Sequence, residues 1–110
     1  MDREEVQKDR IAFIFSNLDF EIISDQLVKY GEANTGGELI DLYSNYNSKP
    51  IHICYLNSSD NEDFSHYYCD KEDFVDIIER TKKIISEESP EYLEIFYKSA
   101  EVIYNKLKLV

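Results

Sequence analysis

Residues 50–70 read PIHICYLNSSDNEDFSHYYCD, and this stretch determines the fold that we predict for the chain. The segment 51–56 is rich in β-branched and aromatic residues, which is typical of a strand. A polar connection over 57–63 follows, and the segment 64–69 can return along the first strand. We therefore predict a β-hairpin here, although 64–69 would also fit a short helical turn.

Helical periodicity surrounds this hairpin on both sides. Apolar residues recur at steps of three and four over 2–17, over 20–30 and over about ten residues after Thr35. The third of these segments begins with a Thr-x-x-Glu pattern, which is typical of a capping box. Two further helices are predicted, one beginning at Asp70 and one at Ser89, where a proline follows.

The predicted fold is therefore mainly α, with about five helices and one small β-hairpin, 51–56 and 64–69, before the last two helices. A chain of 110 residues suits one core. No linker or repeat divides the sequence, so we predict a single domain over 1–110. Because two strands alone are marginal in water, we expect the hairpin to pack against the helices.

The chain is strongly acidic, with 12 basic and 23 acidic residues and a net charge of −11. Such a charge repels nucleic acid and anionic membranes, and it favours basic protein partners. The sequence has no run of about 18 apolar residues, and its charged start does not resemble a secretory signal. We therefore predict a cytoplasmic protein that binds neither nucleic acid nor membrane.

Both histidines and both cysteines of the chain fall within 50–70. Imidazole and thiolate are the ligands that zinc prefers, and four of them complete a tetrahedral site. The usual Cys-x-x-Cys pair is absent, so our prediction is that the chain binds no metal and no cofactor. A zinc centre is the alternative, and its ligands would be His52, Cys54, His66 and Cys69.

The residue types around the histidines do not favour catalysis. Two histidines could form an acid–base pair, but phosphate chemistry also needs cations that stabilise the developing charge. Between residues 51 and 73 the only cation is Lys71, against six acids. The sequence also lacks phosphate-binding loops and nucleophile motifs. We therefore predict that the protein is not an enzyme.

Acidic residues concentrate around the hairpin, where seven acids accompany one lysine between residues 57 and 76. Tyr67 and Tyr68 lie in the middle, and alternation along a strand would send one inward and the other outward. An exposed tyrosine framed by carboxylates is a suitable anchor for a basic surface. The predicted partner-binding residues are Asp60, Glu62, Asp63, Tyr67, Tyr68, Asp70, Glu72 and Asp73.

The segment 60–73, DNEDFSHYYCDKED, resembles the acidic Tyr-Tyr region of immunity proteins that block bacterial nuclease toxins. The resemblance implies one-to-one inhibition of a cationic toxin domain, with Tyr67 and Tyr68 as anchors and the carboxylates as charge partners. We therefore expect an immunity protein, or antitoxin, that neutralises a basic toxin domain. The alternatives are an acidic nucleic-acid mimic that inhibits a host or phage-defence enzyme, and a structural zinc module. The tyrosines of the third and fifth helices could also build a homodimer face.

Overall fold

The computed structural model describes residues 2–45, 48–56 and 64–109, with Phe64 described by its backbone alone. Within these ranges, no helix is both long enough and apolar enough to cross a membrane. The chain forms, in order, α1 (Arg3–Phe15), α2 (Phe20–Tyr30), β1 (Glu32–Asn34), β2 (Leu39–Asp41), β3 (Ile51–Leu56), β4 (Phe64–Cys69), α3 (Lys71–Glu88), a 3-10 turn (Pro90–Tyr92) and α4 (Leu93–Leu107).

The four strands form one antiparallel sheet in the order β1-β2-β3-β4. The strands of the predicted hairpin, 51–56 and 64–69, are present as β3 and β4, but they are half of this sheet rather than an isolated pair. The prediction of a mainly α fold with about five helices and one small hairpin is therefore wrong. The described chain instead combines four α-helices with a four-stranded sheet.

The error lies in the segment predicted as the third helix. Glu38 N–H donates to Thr35 Oγ1 at 3.0 Å, and the Thr35 hydroxyl donates to the Glu38 carboxylate at 2.8 Å, as in a capping box. These bonds instead close the turn between β1 and β2, where Gly36 has a φ of 92°. β2 then pairs with β3, and Ile40 lies opposite Ile53. Long-range strand pairing thus overrides the local helical spacing.

Capping residues bound α1 and α2, whereas Asp70 and Ser89, predicted to begin the last two helices, make no side-chain capping hydrogen bond. The carboxylates of Asp2 and Asp19 accept backbone N–H groups in the first turns of α1 and α2, which satisfies donors that a helix leaves free. Gly31 ends α2 with a φ of 69°, a left-handed conformation that glycine adopts at little cost. Ser89 separates the last two helices, and Pro90 begins the short 3-10 turn before α4.

The helices cover one side of the sheet and leave the other side to solvent. Phe20 joins α1 to α4 in the core, since its ring lies 5.4 Å from the ring of Phe15 and 4.7 Å from that of Phe96. Removal of this apolar surface from water is the main term that stabilises the fold. On the covered side, the buried strand residues are Ala33, Ile40, Ile51, Ile53, Tyr55, Tyr67 and Cys69.

Candidate functional site

The solvent-facing side of the sheet, which we call the outer sheet face, carries both histidines of the chain together with Cys54 and Tyr68. Alternation along a strand directs every second side chain to this side. In β4, His66 and Tyr68 point outward while Tyr67 and Cys69 are buried, and β3 alternates in the same way. The outer sheet face comprises Glu32, Asn34, Leu39, Asp41, His52, Cys54, His66 and Tyr68. Leu56, at the end of β3, points to the same side.

Strand register arranges these side chains in two rows across the sheet. Residues that lie opposite each other on neighbouring strands are close enough for their side chains to interact. The first row therefore joins two carboxylates on β1 and β2 to two aromatic rings on β3 and β4. It consists of Glu32, Asp41, His52 and Tyr68, and the second row consists of Asn34, Leu39, Cys54 and His66.

Two histidines and a tyrosine form an aromatic cluster at the β3–β4 end of the outer sheet face. The rings of His52 and Tyr68 are nearly parallel, with centroids 4.5 Å apart and planes inclined by 10°. His52 Nε2 and His66 Nδ1 lie 2.8 Å apart, so an imidazole N–H of one ring donates to the other ring. Because the accepting nitrogen must be unprotonated, this bond requires at least one neutral imidazole.

Burial lowers the pKa of His52 below its usual value, and the charge of His66 lowers it further, whereas Asp41 acts in the opposite direction. His52 is therefore neutral at neutral pH. The acidic side chains of the outer sheet face are those of Glu32 and Asp41. The face is thus acidic towards one edge and aromatic towards the other, an arrangement suited to contact and hydrogen bonding with a partner.

Tyr67 and Tyr68, which the sequence analysis groups as anchors, lie on opposite sides of the sheet. Tyr67 is 5% exposed, and its hydroxyl donates to the carboxylate of Glu4 in α1 at 2.8 Å. Burial raises the pKa of Tyr67, and the hydrogen bond to Glu4 raises it further. Tyr67 therefore connects β4 to α1, and of the two tyrosines only Tyr68 is presented on the outer sheet face.

The carboxylates predicted to bind a partner differ in what they contact. Asp70 pairs with Lys49, and Asp73 pairs with the buried Lys8, each at 2.9 Å. Glu72, between them in the sequence, is exposed. Asp70 and Asp73 therefore hold elements of the fold together. The other predicted carboxylates lie outside the described residues, and these are Asp60, Glu62 and Asp63.

An ion-pair network joins α1 to α3 and neutralises part of the acidity. Lys8 Nζ lies 2.9 Å from Asp73 and 3.1 Å from Asp76, and Arg80 pairs with Asp76 and with Glu5. Burial lowers the pKa of Lys8, but the hydrogen bonds to the two aspartates outweigh it and raise the pKa to about 12. The negative charge left for a partner is therefore smaller around α3 than the count of acids indicates.

The four side chains of the alternative zinc site do not converge on one point. Cys69 lies opposite Ile51 on the helix-covered side of the sheet, whereas His52, Cys54 and His66 lie on the outer sheet face. Both cysteines are free thiols. In the part of the chain that the structure describes, no three His, Cys, Asp or Glu side chains are grouped so that they could hold a metal ion. The four residues therefore do not form a tetrahedral site in this fold.

The half of the outer sheet face that lies on β1 and β2 was not predicted from the sequence, because the segment after Thr35 was expected to be a helix. The signal that could have identified it is the alternation of Ile40 and Leu42 with the polar Asp41, which has the period of a strand. Both apolar residues are buried in the structure. The outer-face residues that were missed are Glu32, Asn34, Leu39 and Asp41.

Comparisons with known proteins give no match to this chain: no protein-family model, no curated protein and no solved structure is similar to it. The function is therefore inferred from the geometry and charge of the molecule.

Proposed function

We propose that this protein binds and neutralises a basic protein through its outer sheet face, and that the partner is the cationic domain of a nuclease-type bacterial toxin. The chain would then be an immunity protein, and the proposal assigns no reaction to it. The observation that carries the proposal is the outer sheet face, where His52 and Tyr68 lie in one cross-strand row with the carboxylates of Glu32 and Asp41, and His66 joins them from the neighbouring row through its bond to His52.

The aromatic cluster supports a role as an anchor. Aromatic rings bury a large area on binding, and their loss usually accounts for much of the affinity of an interface. The ring of Tyr68 is stacked on His52 and so has part of its side-chain freedom removed before a partner arrives. Less conformational entropy is then lost on association, which favours tight binding.

The carboxylates support the choice of a basic partner. Glu32 and Asp41 lie beside the cluster on the two neighbouring strands. The net charge of −11 also produces a long-range electrostatic field that accelerates encounter with a cationic protein. The predicted contacts Asp60, Glu62 and Asp63 belong to the connection between β3 and β4 in the sequence, and they remain part of the proposal.

The test measures association and dissociation rates against a panel of basic nuclease-type toxin domains at increasing salt concentrations. We expect the association rate to fall steeply with salt, since charged surfaces that steer encounter are screened within about 10 Å at moderate ionic strength. Tyr68→Ala should weaken binding about tenfold or more, mainly through faster dissociation. Asp41→Asn should chiefly slow association.

The matched control is Tyr97→Ala, which removes an exposed tyrosine from α4 in the helical layer. This variant should bind as the wild type does. Equal affinity of the wild type and Tyr68→Ala would contradict the outer sheet face as the binding surface. An association rate that does not change with salt would contradict the electrostatic part of the proposal.

A further inference from the structure

A groove between α2 and α4 forms a second surface with the character of a binding site. On α4 the residues that line the groove follow helical steps of three and four and so form one face, whereas on α2 the lining residues extend around more of the helix. The groove comprises two contiguous cavities of about 550 and 330 Å³ that share Glu21, Ser24 and Val102. None of its lining residues belongs to the outer sheet face, so the groove is independent of the function proposed above.

Two small serines leave the floor of the groove open. Ser24 and Ser99 are buried, and their hydroxyls donate to the carbonyl oxygens of Glu21 and Ile95 in their own helices, at 2.9 and 3.1 Å. Each hydroxyl therefore already has an acceptor and does not require a partner or a water. The two hydroxyls on the floor therefore need no further hydrogen-bond partner. The small serine side chains leave space for a larger apolar side chain of a binding partner.

The borders of the groove expose apolar side chains. Ile22 is 54% exposed and Val102 is 42% exposed, whereas the opposite faces of the same helices are buried in the core. Val28 on α2 and Ile95 on α4 extend this patch and are exposed to a similar degree. Neighbouring exposed apolar residues of this kind are typical of surfaces that bind another protein.

The charged side chains that line the groove indicate the charge expected of a partner. Three carboxylates, those of Asp19, Glu21 and Asp25, line the groove against one lysine, Lys98. The carboxylate of Asp19 caps α2 and that of Asp25 pairs with Lys29, so of the three Glu21 is the one most available to a partner. A second copy of this chain would bring the same carboxylates against each other, which is unfavourable. A helix with an apolar stripe bordered by lysine or arginine would complement both the patch and the charge.

We propose that the α2–α4 groove binds a basic amphipathic helix of a partner protein. α2 has 11 residues and is therefore about 16 Å long, so a partner helix of about three turns would fill the groove. Apolar side chains of the partner would enter the space above Ser24 and Ser99. Its cationic side chains would contact Glu21 and its neighbouring carboxylates.

The test uses a fluorescent amphipathic peptide of leucine and lysine, about three to four helical turns long, and a peptide of the same pattern with glutamate in place of lysine. Anisotropy measures binding at physiological salt. Ser24→Leu fills the groove, and we expect it to weaken binding of the Leu/Lys peptide at least tenfold. Val102→Ser removes an exposed apolar contact and should weaken binding about fivefold, while it leaves the core unchanged.

Ser86→Leu is the matched control, since Ser86 on α3 is exposed and its hydroxyl likewise donates to the carbonyl three residues before it. This variant should bind the Leu/Lys peptide as the wild type does, and Tyr68→Ala should do the same if the two surfaces are independent. Circular dichroism checks that each variant is folded.

Three results would overturn the proposal. The first is equal binding of the Leu/Lys peptide by wild type, Ser24→Leu and Val102→Ser, which would mean that the peptide is held by general charge attraction. The second is equal binding of the Leu/Glu peptide, which would contradict the basic partner. The third is a concentration-dependent dimer of the wild type that Val102→Ser abolishes, which would assign the groove to a second copy of the chain.

Discussion

Replacing Lys8 with methionine would leave Asp73 and Asp76 beside a neutral side chain of nearly the same length. The side chain of Lys8 is 9% exposed, and its Nζ lies 2.9 and 3.1 Å from the two carboxylates. Removing one partner of a buried ion pair costs about 3–5 kcal/mol. Here the aspartates are 28% and 41% exposed and Arg80 still contacts Asp76. We therefore expect the free energy of unfolding to fall by about 2 kcal/mol at neutral pH.

The raised pKa of Lys8 indicates a stabilising contribution of the same size as the expected fall in the free energy of unfolding. Burial lowers this pKa, but hydrogen bonds to the two aspartates raise it overall from 10.5 to about 12. A rise of that size favours the charged form in the folded protein by about 2 kcal/mol. Because the folded pKa lies above the unfolded one, the contribution is complete below pH 10.5 and is lost as the pH rises through about 12.

Thermal and urea denaturation followed by circular dichroism measure the effect. For a chain of this size the melting temperature of Lys8→Met should fall by roughly 8 °C. The control is Lys29→Met, the same substitution in the exposed pair with Asp25, where we expect no measurable change. Adding Asp73→Asn to Lys8→Met should restore part of the loss by removing a carboxylate without a cation. A Lys8→Met variant as stable as Lys29→Met would refute the reasoning.

Three further predictions concern a turn, a histidine and the thiols. Gly31→Ala should destabilise the fold by about 1–2 kcal/mol in urea denaturation, because φ is 69° there and a Cβ would clash with the ring of Tyr43; an unchanged midpoint would contradict this. Stability should decrease as the pH falls below 6.5, because burial lowers the folded pKa of His52 and the unfolded chain binds the proton more readily. His52→Gln should reduce that slope, and an identical slope in both proteins would be the contrary result. Cys54 should react with a thiol reagent much faster than Cys69, which is 1% exposed and whose pKa is raised to about 12 by burial; equal rates in single-cysteine variants would disprove it.

Much of the local structure could be predicted because its causes act over a few residues. Asp19 caps α2 and Gly31 ends it, and the apolar stripe of α3 is the face that it buries. The strands 51–56 and 64–69 coincide with β3 and β4, since β-branched and aromatic residues are concentrated there. The Thr35–Glu38 bonds show the limit of such reasoning, because the same pair of side chains serves a helix cap or a hairpin turn equally well.

The candidate site depended more on contacts between distant segments. Alternation predicted that Tyr67 and Tyr68 would point to opposite sides, but which of them is buried depends on where α1 and α3 pack. The carboxylates of Asp70 and Asp73 form a dense acidic run in the sequence, yet Lys49 and Lys8 pair with them only after the chain has folded.

Sequence alone determined the acidic character of the chain, the bounds of α2 and the strand character of β3 and β4, because charge, capping and periodicity are properties of neighbouring residues. Tertiary structure decided that 39–41 is a strand, that the histidines share one face of the sheet and that a groove lies between α2 and α4. The physical reason is that strand pairing and burial are stabilised by partners far away in the chain, whose position no local pattern specifies.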